Sequence, residues 1–286
     1  MKTVLLTGSN GFLGEKIKNF LSDQGHLVVL PLRTIKKQNK KGNFVFIKKP
    51  HSKKEFYSLF SKYKFQYVIH CAGYYVRNHQ FSDIKKLIDC DINYLNNLLD
   101  SMANFNVRKL ITFGTYFQFF SGNKFSPKNL YAAYKQLIFT LSKYYYLQFS
   151  ISHIQLILFD TYGPDDYRDK IIPTLINLSP SREFKLGNKK NLFFPLHTDD
   201  LLNGIIRSMN LLDFKSKIYA QYSLRGSSTT LIELVNTIER LRNLNLNIKW
   251  SKNKVISEKF NDFKIKKLPK WTPQIKIKKG LSSLLL

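Results

Sequence analysis

A tyrosine and a lysine four residues apart, Tyr131 and Lys135, offer the clearest chemistry in this chain. Residues at this spacing share one face of a helix, so the Lys135 ammonium is expected beside the Tyr131 ring. A neighbouring cation favours the phenolate and lowers the pKa of a tyrosine. Such a tyrosine can exchange a proton with a sugar or alcohol oxygen near neutral pH. The pair therefore predicts an acid–base tyrosine with Lys135 as its partner.

A glycine-rich turn near the N-terminus predicts a dinucleotide site. The turn lies between an apolar strand expected over Thr3–Leu6 and an amphipathic helix expected over Phe12–Gln24. Glycines let the backbone approach a pyrophosphate, whose charge meets the helix N-terminus. The spacing is Gly-x-x-Gly-x-x-Gly rather than Gly-x-Gly-x-x-Gly. The residues expected to contact the cofactor here are Gly8, Asn10, Gly11, Phe12, Leu13 and Gly14.

Arg33 predicts which dinucleotide binds. It ends the second expected strand, His26–Leu32, where an acidic residue would hold the ribose hydroxyls of NAD. An arginine at this place can pair with the 2′-phosphate of NADP, and Lys36 and Lys37 are expected to assist. We therefore expect NADPH rather than NAD(H).

Strands and helices are expected to alternate strictly as far as the sixth strand, which predicts a doubly wound parallel sheet of the Rossmann type. Ligands of such sheets bind beyond the carboxyl ends of the strands. After Pro164 the alternation weakens. The expected division is a dinucleotide-binding domain of residues 1–163 plus 196–222 and a smaller C-terminal substrate-binding lobe of residues 164–195 plus 223–286. The further expected elements are strands Phe44–Ile47, Tyr67–His70, Lys109–Phe113 and Ile151–Phe159, and helices Ser52–Tyr63, Ile84–Met102 and one from Tyr131 to about Phe149.

Two further positions are expected close to the tyrosine. Thr115, after the fifth strand, is expected to bind the reacting oxygen across the cleft from Tyr131, and Thr112 is its competitor. Asn93 is expected on the inward side of the helix Ile84–Met102, holding a water or a backbone carbonyl behind Lys135.

The composition limits the classes of protein to which the chain can belong. The formal charge is +27, but the lysines come as scattered pairs and a richer C-terminal stretch from Lys264 to Lys279, which favours a solvated surface and an anionic small substrate over nucleic acid. No apolar run approaches the ~20 residues of a membrane span, so no membrane insertion is expected. Two cysteines, Cys71 and Cys90, build no disulfide framework, and the histidines lack metal-ligand spacing. A cytoplasmic enzyme without a metal is expected.

Motifs in a fixed order resemble the extended short-chain dehydrogenase/reductase family, nucleotide-sugar branch, nearly end to end. The similar segments are Thr7–Gly14, Val68–Ala72, the Tyr131–Lys135 pair, Leu158–Pro164, Phe193–Asp200, and Trp271–Pro273 with Gly280-Leu281. Gly114–Gln118 and the short gap to Tyr131 are similar to the CDP-3,6-dideoxyhexose (paratose and abequose) synthases. The resemblance implies NADPH-dependent reduction of the 4-keto group of a CDP- or dTDP-deoxyhexose, for surface polysaccharides such as lipopolysaccharide O-antigen. It also implies a homodimer.

The chain departs from the branch in three places. The usual Val-Tyr-Gly after the catalytic hydroxyl is absent, which leaves Thr115 and Thr112 both open, and Ile157 replaces a basic residue. Tyr116-Phe117 stand where dehydratases carry Asp-Glu, which argues against dehydration. An NAD-dependent epimerase is the alternative activity, and a dinucleotide-binding sensor is the non-enzymatic one.

The remaining expected contacts concern the cofactor and the substrate. Ala72, Gly73 and Phe159 are expected to join Asn93, Tyr131 and Lys135 around the cofactor. A nucleotide-sugar carries a pyrophosphate, so cations are expected opposite it, and Lys170 and Arg225 are the candidates. The full set expected around the substrate is Tyr74, Tyr116, Asp160, Thr161, Lys170 and Arg225.

Overall fold

A parallel sheet of seven strands forms the centre of the computed structural model, which describes residues 1–35, 42–120, 125–215, 217–253 and 265–285. The strands are β1 (Thr3–Thr7), β2 (Leu27–Leu32), β3 (Phe44–Lys48), β4 (Tyr67–His70), β5 (Lys109–Thr115), β6 (Ser152–Leu158), β7 (Thr161–Tyr162), β8 (Phe184–Leu186), β9 (Leu192–Phe193), β10 (Leu196–His197), β11 (Tyr219–Leu224), β12 (Thr229–Thr230) and β13 (Ile248–Trp250). Seven of these strands form the central sheet, in the order β11-β6-β5-β4-β1-β2-β3.

Some helices cover the two faces of the sheet, and others lie outside it. The helices are α1 (Phe12–Asp23), α2 (Lys53–Tyr63), α3 (Phe81–Leu87), α4 (Tyr94–Asn104), α5 (Leu130–Phe149), α6 (Ile171–Ile176), α7 (Thr198–Phe214), α8 (Leu231–Arg242) and α9 (Ile277–Ser282). A π-helical segment, Ile88–Asn93, joins α3 to α4, and a 3₁₀ turn, Tyr116–Gln118, follows β5. The predicted doubly wound α/β fold is confirmed. The strand order reverses between β1 and β4, so a crevice opens at the carboxyl ends of these strands.

Two hydrophobic cores lie on opposite faces of the sheet, because alternate residues of each strand point to opposite sides. Val4 and Leu6 of β1 belong to the core that includes Ile17 of α1 and Leu201 of α7. Leu5 belongs to the other core, with residues of α2, α4 and α5. Strands buried on both faces read as continuous apolar runs, which is why they could be recognised in the sequence.

A third core lies outside the sheet. It joins α6, α8 and α9, and Leu175, Leu234 and Leu281 are completely buried in it. Short strand pairs, β8 with β13 and β9 with β12, accompany these helices. Apart from Tyr162, this core falls within the segments assigned to the small lobe, while α7 and β11 between them belong to the layers of the main sheet. The division of the chain into 1–163 plus 196–222 and 164–195 plus 223–286 stays a prediction.

The helix expected over Ile84–Met102 is longer than predicted and is interrupted. Helical structure begins at Phe81, ends at Asn104 and includes the π-helical segment. A π turn holds more residues than an α turn, so it changes which side chains face inward. Here it directs Asp91, rather than Asn93, into the protein.

Within the described residues, no helix combines the length and apolarity that crossing a membrane requires. The same residues contain no group of three or more His, Cys, Asp or Glu side chains that could hold a metal ion.

Candidate active site

Tyr131 and Lys135 lie on the first turns of α5, at the carboxyl end of the sheet. The Asn129 side chain caps this helix by accepting a hydrogen bond of 2.9 Å from the Ala132 amide, which fixes where the helix begins. The Lys135 Nζ is 5.3 Å from the centroid of the Tyr131 ring. Both residues line a cavity of about 530 Å³, a size typical of small-molecule sites.

Asp91 holds Lys135 from behind. Its Oδ1 is 3.0 Å from the Lys135 Nζ, and the two side chains are 0% and 6% exposed. Asn93 does not take part. It is exposed and donates to Asp89 Oδ1 at 2.9 Å. The expectation that Asn93 faces Lys135 is therefore wrong, because the π-helical segment turns Asp91 to that side.

The pKa of Tyr131 is raised, opposite to the direction expected from Lys135 alone. Burial raises it most, the charge of Lys135 lowers it, and the charge of Asp91 raises it again. Burial lowers the pKa of Lys135, but Asp91 and Tyr131 raise it more, so this pKa lies above its ordinary value. The Tyr131 side chain is thus a neutral phenol, and the positive charge of the neighbouring Lys135 ammonium is balanced by Asp91.

Of the two threonines left open by the sequence, Thr115 reaches the cavity. It lines the cavity together with Tyr131, and its hydroxyl accepts a hydrogen bond of 3.3 Å from the Phe117 amide. Thr112 is fully buried inside the sheet layer, where its hydroxyl is 2.8 Å from Nε2 of His153. Thr112 is therefore occupied in the core.

Four glutamines form a network beneath Thr115 and Lys135. Gln118 accepts a hydrogen bond of 2.8 Å from the Thr115 amide, and Gln155 donates one of 2.9 Å to the Lys135 carbonyl. Gln136 and Gln221 complete the network, with amide-to-amide distances from 2.7 to 3.3 Å. The network joins β5, α5, β6 and β11, and so fixes the distance between the strand end and the helix.

The glycine turn at the carboxyl end of β1 fits a dinucleotide. Gly8 has a φ of +74°, and a Cβ there would lie 2.5 Å from the Ala72 nitrogen, so only glycine allows this path. The buried Ser9 Oγ has no hydrogen-bond partner among the described residues, as expected of a hydroxyl that receives a phosphate or ribose. A groove of about 360 Å³ extends from this turn past Ala72.

The expected cofactor residues fall into two connected spaces. Gly8, Gly11 and Gly73 line both the groove and the cavity. The other expected cofactor residues in the groove are Asn10, Arg33 and Ala72, and those in the cavity are Phe12, Leu13, Gly14, Tyr131, Lys135 and Phe159.

Arg33 is exposed at the end of the groove. It also lines a neighbouring depression with Asn10 and Lys18, to which Glu15 contributes as well. Pro31 and Leu32 precede it, so no carboxylate ends β2. Lys36 and Lys37 lie outside the described residues.

A second cavity, of about 640 Å³, continues from the first toward the third core. Tyr116 and Asp160 line both cavities, and the Tyr116 hydroxyl donates to Asp160 Oδ2 at 3.3 Å. The Tyr116 ring stacks on Phe159, with centroids 4.8 Å apart. Burial raises the pKa of Asp160, whereas Lys170 and Tyr116 lower it.

Tyr74 and Tyr75 lie on opposite sides of the segment after β4. Tyr74 turns away from the cavities and donates to Asp83 at 2.8 Å. Tyr75 instead lines both cavities, and its ring meets Tyr131 edge-on at 5.1 Å. The expected substrate contact of Tyr74 is therefore wrong in position, because neighbouring residues of an extended chain point in opposite directions. The sequence offered no signal that separates these two tyrosines.

The two expected pyrophosphate cations have different surroundings. Lys170 lines both cavities, with its Nζ 4.0 Å from the centroid of the Tyr75 ring. Arg225 lines neither cavity, and its guanidinium packs 4.9 Å from the ring centroid of Phe194. The position expected for Arg225 is therefore not observed, because its guanidinium packs against the rings of Phe194 and Phe159.

Arg168 was not singled out from the sequence, although it lines the first cavity. Its guanidinium binds both oxygens of Asp166, at 2.7 and 2.8 Å, and the Thr161 oxygens at 3.2 and 2.8 Å. It also lies 4.2 Å from the centroid of the Phe12 ring. Because these donors bind groups of the protein itself, Arg168 fixes the segment after β7 against the start of α1. The same hydrogen bonds hold Thr161 at the cavity wall.

The fold and this site define a class of dinucleotide-dependent proteins with a Tyr–Lys pair. The model of the NAD dependent epimerase/dehydratase family matches residues 4–219. The chain belongs to this family, which confirms its resemblance to the extended short-chain dehydrogenases/reductases.

Relatives of known activity cover most of the chain. It is 24% identical over 253 residues to the CDP-abequose synthase of Yersinia pseudotuberculosis, across 86% of each chain. It is 25% identical to the UDP-glucuronate 4-epimerase of Thermodesulfobacterium geofontis, across 97% of this chain and 93% of that one. The solved UDP-glucuronic acid 4-epimerase of Bacillus cereus, in complex with UDP-glucuronic acid and NAD, is similar in fold, with a TM-score of 0.81, 19% identity and coverage of 99% and 97%.

Proposed function

We propose that the protein reduces the 4-keto group of a CDP- or dTDP-activated deoxyhexose with NADPH. The observation that carries this proposal is the position of Tyr131, Lys135 and Thr115. All three line one cavity, which meets a dinucleotide-type groove on one side and a basic cavity on the other.

The chain's own side chains supply acid–base chemistry and orientation. When bound, the reduced nicotinamide supplies the hydride that converts the carbonyl carbon into an alcohol carbon. The Tyr131 O–H bond breaks as negative charge develops on the sugar oxygen, and its proton forms the new alcohol. Thr115 orients that oxygen by a hydrogen bond. Lys135 would hold the nicotinamide ribose, and its positive charge would stabilise the phenolate that forms on Tyr131.

Cations and aromatic rings in the second cavity suit a nucleotide diphosphate. Arg77, Lys128, Lys170 and Lys185 contribute to its lining. Phosphate oxygens favour such groups through charge-assisted hydrogen bonds. Tyr116 and Asp160, at the junction with the first cavity, would face the sugar. The CDP-abequose synthase that covers 86% of this chain supports the choice of substrate class.

Arg33 supports NADPH as the reductant. It stands exposed at the end of β2, beside the groove, and Lys18 lies in the adjoining depression. A 2′-phosphate would meet cations there, while the ribose hydroxyls of NAD would lack the usual carboxylate acceptor.

An NAD-dependent epimerase is the second candidate, since an epimerase is among the relatives that span nearly the whole chain. Epimerisation begins by removing a proton from a sugar hydroxyl, which requires the Tyr131 phenolate. Burial raises the pKa of Tyr131, and Lys135 does not reverse this. The site therefore suits proton donation better, and the reductase is preferred.

We further propose that the protein is a cytoplasmic homodimer. Helix α5 exposes Leu137, Tyr144 and Leu147 at 44%, 56% and 60%, which forms an apolar strip that a second copy would cover. Both cysteines are free thiols, as in a reducing compartment. A monomeric sedimentation coefficient would contradict the dimer.

The experiment is an incubation of the protein with CDP- and dTDP-4-keto-deoxyhexoses, following NADPH absorbance and the configuration at C4 of the product. Tyr131→Phe is the control, which should bind NADPH but turn over about 10²–10⁴-fold more slowly. Conversion of a UDP-sugar into its C4 epimer without net NADPH consumption, and no reduction of either keto-sugar, would reject the reductase.

A further inference from the structure

A carboxylate and an ammonium meet in a buried position directly behind Tyr131. Asp91 Oδ1 and Lys135 Nζ are 3.0 Å apart, with the Asp91 side chain 0% exposed. The second carboxylate oxygen, Oδ2, has no hydrogen-bond partner among the described residues. Among the described residues, Lys135 is therefore the side chain that compensates the negative charge of Asp91. Charges buried this deeply are stable only when paired.

The backbone on both sides of the Asp91–Lys135 pair leaves space for these two side chains. The π-helical segment Ile88–Asn93 turns Asp91 inward. On the other side stands Gly73, where a Cβ would lie 2.5 Å from the Lys135 Nζ and 3.2 Å from Asp91 Oδ1. Two independent segments thus make room for the ion pair.

We propose that Asp91 is a positioning residue that cancels the charge of Lys135 and thereby keeps Tyr131 a proton donor. This inference rests on the proposed reductase function and explains its direction.

Counting charges gives the physical reason. Asp91, Lys135 and neutral Tyr131 sum to zero, so loss of the tyrosine proton leaves a net negative charge in a buried place. Without the carboxylate, the same loss takes the group from a net positive charge to zero. Burial opposes the first change and favours the second.

The other groups that face Tyr131 do not alter this count. Burial raises the pKa of Cys71 to about 11, so this thiol stays neutral. Burial lowers the pKa of His70, on β4, to about 3, so this ring is neutral as well. Tyr75 contacts Tyr131 ring to ring, and Lys170 lies 4.0 Å from Tyr75 rather than over Tyr131.

The consequence concerns the direction of proton transfer. In reduction the Tyr131 O–H bond breaks, its electron pair stays on the phenolate, and the proton forms the O–H bond of the product alcohol. Water then returns a proton to the phenolate. Removing a proton from a sugar hydroxyl, the first step of an epimerisation, needs the phenolate at the outset. Asp91 therefore adapts the site to reduction.

Asp91→Asn tests the proposal, because it keeps an oxygen acceptor for Lys135 and removes the charge. Phenolate absorbance is measured against pH in the protein without substrate. Each spectrum is compared with that of the same protein carrying Tyr131→Phe, so that the other tyrosines cancel. We expect the Tyr131 phenolate at lower pH in Asp91→Asn than in the wild type. The alkaline limb of kcat/KM for keto-sugar reduction should move to lower pH in parallel, because a phenolate cannot donate.

Asp89→Asn is the matched control. It removes the same charge from the same π-helical segment, but the Asp89 side chain is 48% exposed and pairs with Lys85 at the surface. Neither the titration nor the pH profile should move. Asp91→Glu keeps the charge and should keep the alkaline limb of the wild type.

Several outcomes would overturn the proposal. The proposal fails if the Tyr131 phenolate of a folded Asp91→Asn protein titrates as in the wild type. It also fails if Asp89→Asn shifts that titration as much as Asp91→Asn does. If Asp91→Asn does not fold, Lys135→Gln is compared with the double variant Asp91→Asn/Lys135→Gln, which differs from it only in the carboxylate. The single variant should form the Tyr131 phenolate at higher pH than the double variant, and equal titrations would reject the role of Asp91. The titration needs no substrate. A shift in a protein that reduces no keto-sugar would retain the role of Asp91 and reject the proposed function.

Discussion

Replacing Gly14 by alanine should both destabilise the protein and weaken NADPH binding. Gly14 lies in the first turn of α1, and a Cβ there would be 2.0 Å from the Gly8 carbonyl oxygen and 2.8 Å from the Ser9 Cα. Ordinary contacts between carbon atoms are about 3.5–4.0 Å. Because the opposing atoms are main-chain atoms, the turn itself must move by roughly 1 Å or more.

The magnitudes decide the sign of the effect. Alanine is favoured over glycine inside a helix by about 0.8–1 kcal/mol, whereas overpacking costs about 1–3 kcal/mol. A clash against rigid backbone belongs at the upper end, so we expect a net loss of about 1–2 kcal/mol. This corresponds to a Tm lower by about 2–8 °C. Losing one hydrogen bond to a phosphate, about 1.5–3 kcal/mol, would raise the NADPH Kd by about 10–100-fold.

Thermal unfolding and NADPH fluorescence titration measure the two effects of Gly14→Ala. Gly11→Ala is the matched control for stability, since its Cβ would lie 3.5 Å from the Gly8 oxygen, an ordinary contact. Its Tm should stay near that of the wild type. If Gly14→Ala instead unfolded at or above the wild-type Tm and bound NADPH as tightly, the close approach of α1 to the turn would be refuted.

Three further outcomes are expected. Arg33→Asp should weaken NADPH far more than NADH, because an attraction for the 2′-phosphate becomes a repulsion, and an unchanged ratio of the two Kd values would exclude Arg33 from cofactor choice. Lys170→Ala should raise KM for the nucleotide-sugar, hardly alter the Kd of NADPH and reduce the salt dependence of substrate binding, whereas an unchanged KM would leave Lys170 without a substrate role. Burial lowers the pKa of His70 and His153 to about 3, so the unfolded chain binds protons that the folded protein cannot. Urea unfolding should therefore show stability present above pH ~6.5 and falling by about 1.4 kcal/mol per pH unit for each histidine as the pH drops toward 3, and a pH-independent midpoint between pH 7 and 5 would contradict this.

The parts of the site that follow from local patterns were predictable. Continuous apolar runs identified the buried strands, and a spacing of four placed Lys135 beside Tyr131 on α5. The glycine turn was recognisable because its position between a strand and a helix restricts what the backbone can do. Each of these inferences needed only neighbours along the chain.

The parts that depend on distant segments were not predictable in the same way. A helical pattern cannot reveal that a π turn moves the inward position from Asn93 to Asp91. Alternation cannot tell whether Tyr74 or Tyr75 faces a cavity until the segment after β4 is placed against α3 and α5. Arg225 carries the right charge for a phosphate, but three-dimensional packing places its guanidinium against aromatic rings.

Tyr131 illustrates why the chemistry of a site belongs to its surroundings and not to a motif. The same Tyr–Lys spacing on an exposed helix would lower the pKa of the phenol, whereas here burial and a carboxylate from another segment reverse the net direction. Gln155 and Gln118 hold the Lys135 carbonyl and the Thr115 amide in one network, so α5, which carries Tyr131, cannot shift without disturbing β5, which carries Thr115. Under the proposed reduction, proton donation would therefore depend on two buried polar systems. The ion pair would set the charge around Tyr131, and the glutamine network would fix the distance between Tyr131 and Thr115.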